Sequence, residues 1–218
     1  MNWKRKVFIS FRLYGVTDVR EDSKDILKKI DLAYAGGADI VQLRSKTLGD
    51  GPLYRLAVSI RKIADHRKKL FFMNDRVDLA LAAGADGVHL GQEDLPVPEV
   101  RRILNRARIL MWIGKSTHDM AQARTAQREG ADYIGVGPVF KTPTKPGYRP
   151  AGLEFVRKAA EQMEVPFVAI GGIDLVNISS VIEAGARRIA VVRAIFGKEN
   201  PDEAACKLRK KIENAKKK

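Results

Sequence analysis

Four fragments of the chain resemble one another: AGGAD ending at Asp39, AAGAD at Asp86, REGAD at Asp132 and EAGAR at Arg187. Each follows a helical apolar pattern and precedes a short apolar run. Their glycines, Gly37, Gly84, Gly130 and Gly185, fall 47, 46 and 55 residues apart. Glycine just past a helix takes the left-handed conformation that ends it. This interval is too long for one strand–helix unit and fits two, so four copies imply eight units. The runs between them supply the count. The sequence predicts strands at Tyr14–Asp18, Asp39–Arg44, Leu70–Met73, Gly87–Leu90, Leu110–Gly114, Tyr133–Gly137, Phe167–Gly171 and Arg188–Val192. Most are short and apolar, as parallel strands buried on both faces are. Helical patterns fall between them, at about 24–35, 52–66, 76–83, 97–106, 119–129, 152–163, 175–184 and 201–215. Strict alternation predicts an α/β single-domain (β/α)8 TIM barrel over residues 1–218. A short N-terminal extension (1–12) and a basic tail (about 207–218) flank it. An open doubly wound sheet is the alternative.

Composition excludes some classes. No run of about 18 apolar residues occurs, so no transmembrane helix is expected. The start, MNWKRKVFISFRLYG, has its apolar run broken by Arg12 and lacks a small-residue cleavage site, so a signal peptide is not expected and the cytoplasm is. The single cysteine, Cys206, excludes an internal disulfide and reads as a small buried apolar residue of the last helix. A net charge of +14 raises the question of nucleic acid. The cations gather in or just after helices, where they complement the helix dipole, and in the tail KLRKKIENAKKK. They are not interleaved with aromatic residues of the kind that stack bases, so nucleic acid is the weaker reading.

In such a barrel the chemistry belongs to the loops at the C-terminal ends of the strands. Alternation along DIVQLRSK puts Gln42 and Arg44 on one face and Val41 and Leu43 on the other. With the helices covering Val41 and Leu43, Gln42 and Arg44 point into the mouth, with Lys46 just above. That run offers a guanidinium and an ammonium to a polyanion. Asp75 and Asp94 each lie just beyond a strand and should share one rim. They suit general acid and base, metal ligands, or loop caps. Facing cations, they suggest Mg2+, which takes carboxylate oxygens and bridges them to phosphates. Asn74 adds a neutral polar contact. Gly171 and Gly172 end strand seven and Arg193 ends strand eight, where barrels frequently hold a phosphate. The loop TPTK adds Thr142, Thr144 and Lys145. His89 reads as a satisfied core residue. His118 and Ser116 follow strand five on the active rim.

The stretches VQLRSK, NDRVDLALAAGADGVHLGQEDL, IGKSTH, GADYIGVGPVFKTPTKPGYRPAGLE, AIGGI and VVRAI occur in this order. Together they resemble the thiamine-phosphate synthase family, from about Tyr14 to Ile195. The resemblance implies a (β/α)8 barrel that joins a hydroxymethylpyrimidine diphosphate to a hydroxyethylthiazole phosphate and releases pyrophosphate. It implies that Gln42, Leu43, Arg44, Ser45 and Lys46, with Asn74, Ser116 and Lys145, hold the pyrimidine diphosphate. Asp75 and Asp94 would hold Mg2+. Thr142, Pro143, Thr144, Gly172, Val192 and Arg193 would hold the thiazole phosphate. Arg44, Lys46 and Lys145 would stabilise the leaving group. Three positions depart from the family pattern: Ser45 where glutamate is common, Lys115 where a small apolar residue is usual, and Arg193 where serine is usual. The expected partners are these small molecules and no membrane, with a homo-oligomer left open. A thiazole tautomerase-like barrel, using His118 for proton transfer, is the alternative, but tautomerases generally lack the paired acids and the full Gln–x–Arg–x–Lys run.

Overall fold

The alternation of strand and helix closes on itself. In the computed structural model, residues 2–20, 25–143, 147 and 149–214 are described. The strands are β1 (Leu13–Val16), β2 (Ile40–Leu43), β3 (Leu70–Asn74), β4 (Gly87–Leu90), β5 (Trp112–Thr117), β6 (Tyr133–Val136), β7 (Phe167–Ala169) and β8 (Ile189–Val191). They pair in chain order, all parallel, and β8 returns to β1 to complete a closed barrel. Around it run α2 (Ile26–Ala35), α3 (Asp50–Arg67), α4 (Val77–Ala82), α5 (Val97–Ala107), α6 (Met120–Arg128), α7 (Gly152–Gln162), α8 (Ile178–Glu183) and α10 (Pro201–Asn214). Two short helices, α1 (Trp3–Ser10) and α9 (Arg193–Phe196), stand outside the expected pattern. Among the described residues no helix is long and apolar enough to cross a membrane.

Side-chain alternation divides the core in two. Val41 and Leu43 of β2 join Phe71, Met73 and Val88 in a layer beneath the helices. Ile40 joins Tyr14, Phe72 and Tyr133 in the barrel interior. Gln42 shares the inward face and is 3 % exposed. Large rings inside a narrow barrel need space from their neighbours. A Cβ on Gly114 would lie 2.2 Å from Cζ of Tyr133, so only glycine fits there. Gly114→Ala is therefore expected to lower the unfolding free energy by about 1–3 kcal/mol, the usual cost of overpacking, read from urea denaturation.

The repeated acids have a structural purpose. Asp39 accepts hydrogen bonds from the N–H groups of Arg12 (2.8 Å) and Leu13 (3.3 Å). Asp86 accepts from Phe71 N–H (2.9 Å) and Asp132 from Ile113 N–H (2.7 Å). Each aspartate thus ties the start of its strand to the start of the preceding one. Cations neutralise them from outside: Lys69 (3.1 Å) and Arg209 at Asp39, Lys4 (2.7 Å) and Arg61 (2.5 Å) at Asp86, and Arg101 (2.7 Å) at Asp132. The fourth copy, with Arg187, has no such acid.

Three sequence expectations need correction. Residues 1–12 are more than an extension. Helix α1 closes the barrel floor, with Phe8 stacked on Trp112 at 4.4 Å and Phe11 buried among the interior rings. Arg188, beside the fourth repeat, donates to the last-turn carbonyl of Ile9 (3.0 Å) and lies over the Phe11 ring. Strand five begins at Trp112 instead of Leu110, whose side chain is fully exposed; the residues before it still belong to the exit from the left-handed Arg108 that caps α5. The tail is helical through Asn214, as the pattern over 201–215 predicts, because Leu208 and Ile212 are buried. Cys206 is half-buried, not enclosed.

Candidate active site

The mouth is built from strand ends. Gln42 donates through Nε2 to the Tyr14 hydroxyl (2.8 Å). Arg44, the first residue beyond β2, donates through its N–H to Thr17 Oγ1 (3.0 Å). Its guanidinium pairs with Asp18, just past β1, and its side chain is only 13 % exposed. Asp18 thus orients a cation that would otherwise sample many rotamers. The sequence signal is an acid within a few residues of the end of β1, as at β3 and β4. Lys46 is exposed and pairs through Nζ with Asp75 Oδ2 (2.5 Å).

Asp75 follows β3 in the left-handed region, at φ 60°. Such backbone is uncommon in residues other than glycine and is tolerated best by Asp and Asn. It is held by its own N–H, which donates to the His89 carbonyl (2.9 Å). Asp94 accepts from Gly91 N–H (2.5 Å) at the head of the loop after β4. The Asp94 carboxyl is raised above the ordinary range, first by burial and then by the Asp75 carboxylate beside it, with the Gly91 N–H opposing. Two acids from adjacent strands therefore converge. Among the described residues no third His, Cys, Asp or Glu joins them. A cation here would draw its remaining ligands from water or substrate, as Mg2+ does. Lys115 is buried and donates through Nζ to the Gly91 carbonyl (2.6 Å), bracing the loop that carries Asp94. Burial lowers its pKa.

Two adjoining cavities open at this rim. One, of about 260 Å³, lies between Lys46, Asp75 and Asp94. The other, of about 250 Å³, runs inward past His89 and Tyr133 and outward to Gly172, Val192 and Arg193. Arg44, Asn74 and Ser116 line both, so the two lie side by side on one rim. Thr142 also borders the deeper one. At the β7 end Gly172 has φ 65°, and a Cβ there would meet the Lys141 carbonyl at 2.8 Å. Arg193 is exposed at the start of α9.

The structure thus gathers Gln42, Arg44, Lys46, Asn74, Asp75, Asp94, Ser116, Thr142, Gly172, Val192 and Arg193 around one opening. Leu43 faces the helices and offers that opening no side chain. The Ser45 hydroxyl accepts from Leu48 N–H (3.0 Å) and Thr47 N–H (3.3 Å) in its own loop. Pro143 is exposed. Thr144 and Lys145 lie outside the described residues. His89 departs from its expected core role: it lines the cavity between Ser116 and Tyr133, because β4 places it on the inward face level with the mouth.

Fold and rim together define a (β/α)8 barrel with a candidate anion-receiving mouth. The chain belongs to the thiamine monophosphate synthase family, whose model matches residues 13–195. It is 50 % identical over 190 residues to a thiamine-phosphate synthase of Gloeobacter violaceus, covering 87 % of this chain and 54 % of that protein. The chain thus spans about half the length of this curated relative and of several like it. A thiamine-phosphate synthase of Thermus thermophilus is 49 % identical over 204 residues, covering 92 % of this chain and 97 % of that one. The solved thiamine phosphate pyrophosphorylase from Pyrococcus furiosus superposes with a TM-score of 0.86 at 37 % identity, covering 94 % of this chain and 97 % of that one.

Proposed function

We propose that this chain is a thiamine-phosphate synthase, a transferase of thiamine biosynthesis working in the cytoplasm. It joins 4-amino-5-hydroxymethyl-2-methylpyrimidine diphosphate to 4-methyl-5-(2-hydroxyethyl)thiazole phosphate, giving thiamine phosphate and pyrophosphate. The observation that carries this reading is a pair of adjoining cavities, differently equipped, that share Arg44, Asn74 and Ser116. Acids and cations, Asp75, Asp94, Arg44 and Lys46, line one, and Gly172, Val192 and Arg193 the other. Family membership supports it.

The chemistry suits these residues. The bond between the pyrimidine methylene and the diphosphate oxygen breaks, and its electron pair leaves with pyrophosphate. The thiazole nitrogen then gives its lone pair to the methylene carbon, so the new carbon–nitrogen bond forms without a base. Arg44 and Lys46, with Lys145, stabilise the charge growing on the leaving group. Asp75 and Asp94 would hold Mg2+, which supplies further neutralisation of the diphosphate when bound. The fit rests on the convergence of the two carboxylates, which adds to burial in raising the Asp94 carboxyl. Seating the thiazole phosphate against the pyrimidine is a proximity effect.

The test is direct: protein, Mg2+ and both substrates should yield thiamine phosphate, and its absence would overturn the reading. The tautomerase reading rests on His118, whose Nδ1 meets the Gly137 carbonyl at 2.5 Å beside the cavity. Isomerisation of a thiazole carboxylate phosphate without the pyrimidine diphosphate would favour it. The paired acids favour the synthase. Arg193 contributes a charge-assisted contact to the thiazole phosphate in this proposal. Arg193→Ser should therefore raise the KM for that substrate about fivefold or more, with little change for the pyrimidine diphosphate. An unchanged KM at low ionic strength would make Arg193 a surface charge.

A further inference from the structure

Beneath the mouth, five side chains form a row across the barrel interior. Gln42 Nε2 donates to Tyr14 Oη (2.8 Å), and Tyr14 Oη meets Tyr133 Oη (3.0 Å). Tyr133 Oη meets His89 Nδ1 (2.9 Å), and His89 Nε2 meets Ser116 Oγ (2.9 Å). The tyrosines are 2 % and 0 % exposed, enclosed by Phe11 and Phe72. Burial raises both their pKa values, so they stay protonated and each has one proton to give.

The direction of the row follows from its first member. An amide nitrogen only donates, so Tyr14 Oη accepts from Gln42, and the order that leaves no buried hydroxyl proton unpaired has Tyr14 donate to Tyr133. Tyr133 in turn donates to His89 Nδ1. His89 then carries hydrogen on Nε2 and donates it to Ser116 Oγ, whose own hydroxyl proton is the outlet into the cavity. At the opposite end Gln42 gives one of its two N–H groups to Tyr14, which fixes the orientation of the amide, and its carbonyl Oε1 is the acceptor it offers an occupant. Both terminal residues line the cavity.

We propose that His89, Tyr133 and Tyr14 are positioning residues that fix Gln42 as an acceptor and Ser116 as a donor. The site thereby selects a pyrimidine with an exocyclic amine beside an unprotonated ring nitrogen. This rests on the reading of the pyrimidine as a substrate and adds its specificity. The 4-amino edge offers a donor and an acceptor, matching carbonyl and hydroxyl. A 4-oxo pyrimidine reverses both: its carbonyl faces Gln42 Oε1 and its ring N–H faces the Ser116 proton. Two mismatched contacts in an enclosed site should disfavour the oxo form by roughly a hundredfold or more.

Two measurements test this. Nitrogen-15 NMR of the wild-type protein should show His89 as the Nε2–H tautomer; an Nδ1–H tautomer would overturn the order of the row whether or not any variant folds. Calorimetry should show wild-type protein binding the 4-amino pyrimidine diphosphate at least about a hundredfold more tightly than its 4-oxo analogue. In Tyr133→Phe that ratio should fall to within about tenfold, because the row is cut and His89 is no longer held in one tautomer. Affinity for thiazole phosphate should stay within about twofold, a change a merely structural loss would not spare. Tyr133→Phe retaining the full preference would refute the relay; Tyr14→Phe serves if that variant does not fold. Wild-type protein that shows the tautomer and the preference but makes no thiamine phosphate would sink the proposed reaction while leaving the specificity standing.

Discussion

Asp75→Ala is expected to leave the barrel folded and to lower turnover by about three orders of magnitude, roughly 4 kcal/mol of barrier, because the proposed metal site loses half its protein ligands. Thiamine phosphate formation at saturating substrates and Mg2+ measures the loss. Thermal melting gives a reading independent of turnover. The folded-state pKa of Asp94 lies above its unfolded value, so its contribution to stability is present in acid and falls away as pH rises through the folded value. At neutral pH Mg2+ should remove that penalty and raise the melting temperature of the wild-type protein, and it should do so much less in Asp75→Ala. Near-normal turnover at low Mg2+ in both Asp75→Ala and Asp94→Ala would remove the metal assignment.

Arg44→Ala is expected to lower kcat about a hundredfold, near 3 kcal/mol, while the KM for thiazole phosphate stays close to that of the wild type. The guanidinium is largely enclosed and already aimed by Asp18, so little of its value is lost to ordering on binding. Lys46, 60 % exposed and paired with Asp75, begins from a looser state. An Arg44→Ala effect confined to the thiazole KM would move Arg44 to the other substrate.

Much of this could be read in the sequence because two periods carried it. The repeat near each Gly–Ala–Asp gave the count of strands, and alternation in β2 gave the inward direction of Gln42 and Arg44. What stayed hidden had physical reasons. Helix α1 is eight residues long and three of the four residues of its first turn are basic, so it carries no clear amphipathic signal; it is stable because Phe8 finds Trp112 across the floor. Leu110 looks like strand because it is apolar, yet apolar residues are not obliged to be buried. Asp18 carries no signal by itself in the sequence because an isolated acid acquires meaning only when Arg44 is brought against it from the next strand. His89 looked like core for the same reason: nothing in GVHL announces that Ser116 and Tyr133 will flank it.

The repeated aspartates have one more consequence. Asp39, Asp86 and Asp132 perform one task three times at the foot of the barrel, whereas the groups at its mouth divide several tasks among them. The molecule has a serial end and a bespoke end. Changes at the serial end subtract from the free energy of folding, and changes at the bespoke end from that of the reaction. Sites so far apart, sharing no partner, should combine with little coupling between them. A fortified foot could then carry a rebuilt mouth, each adjusted without renegotiating the other.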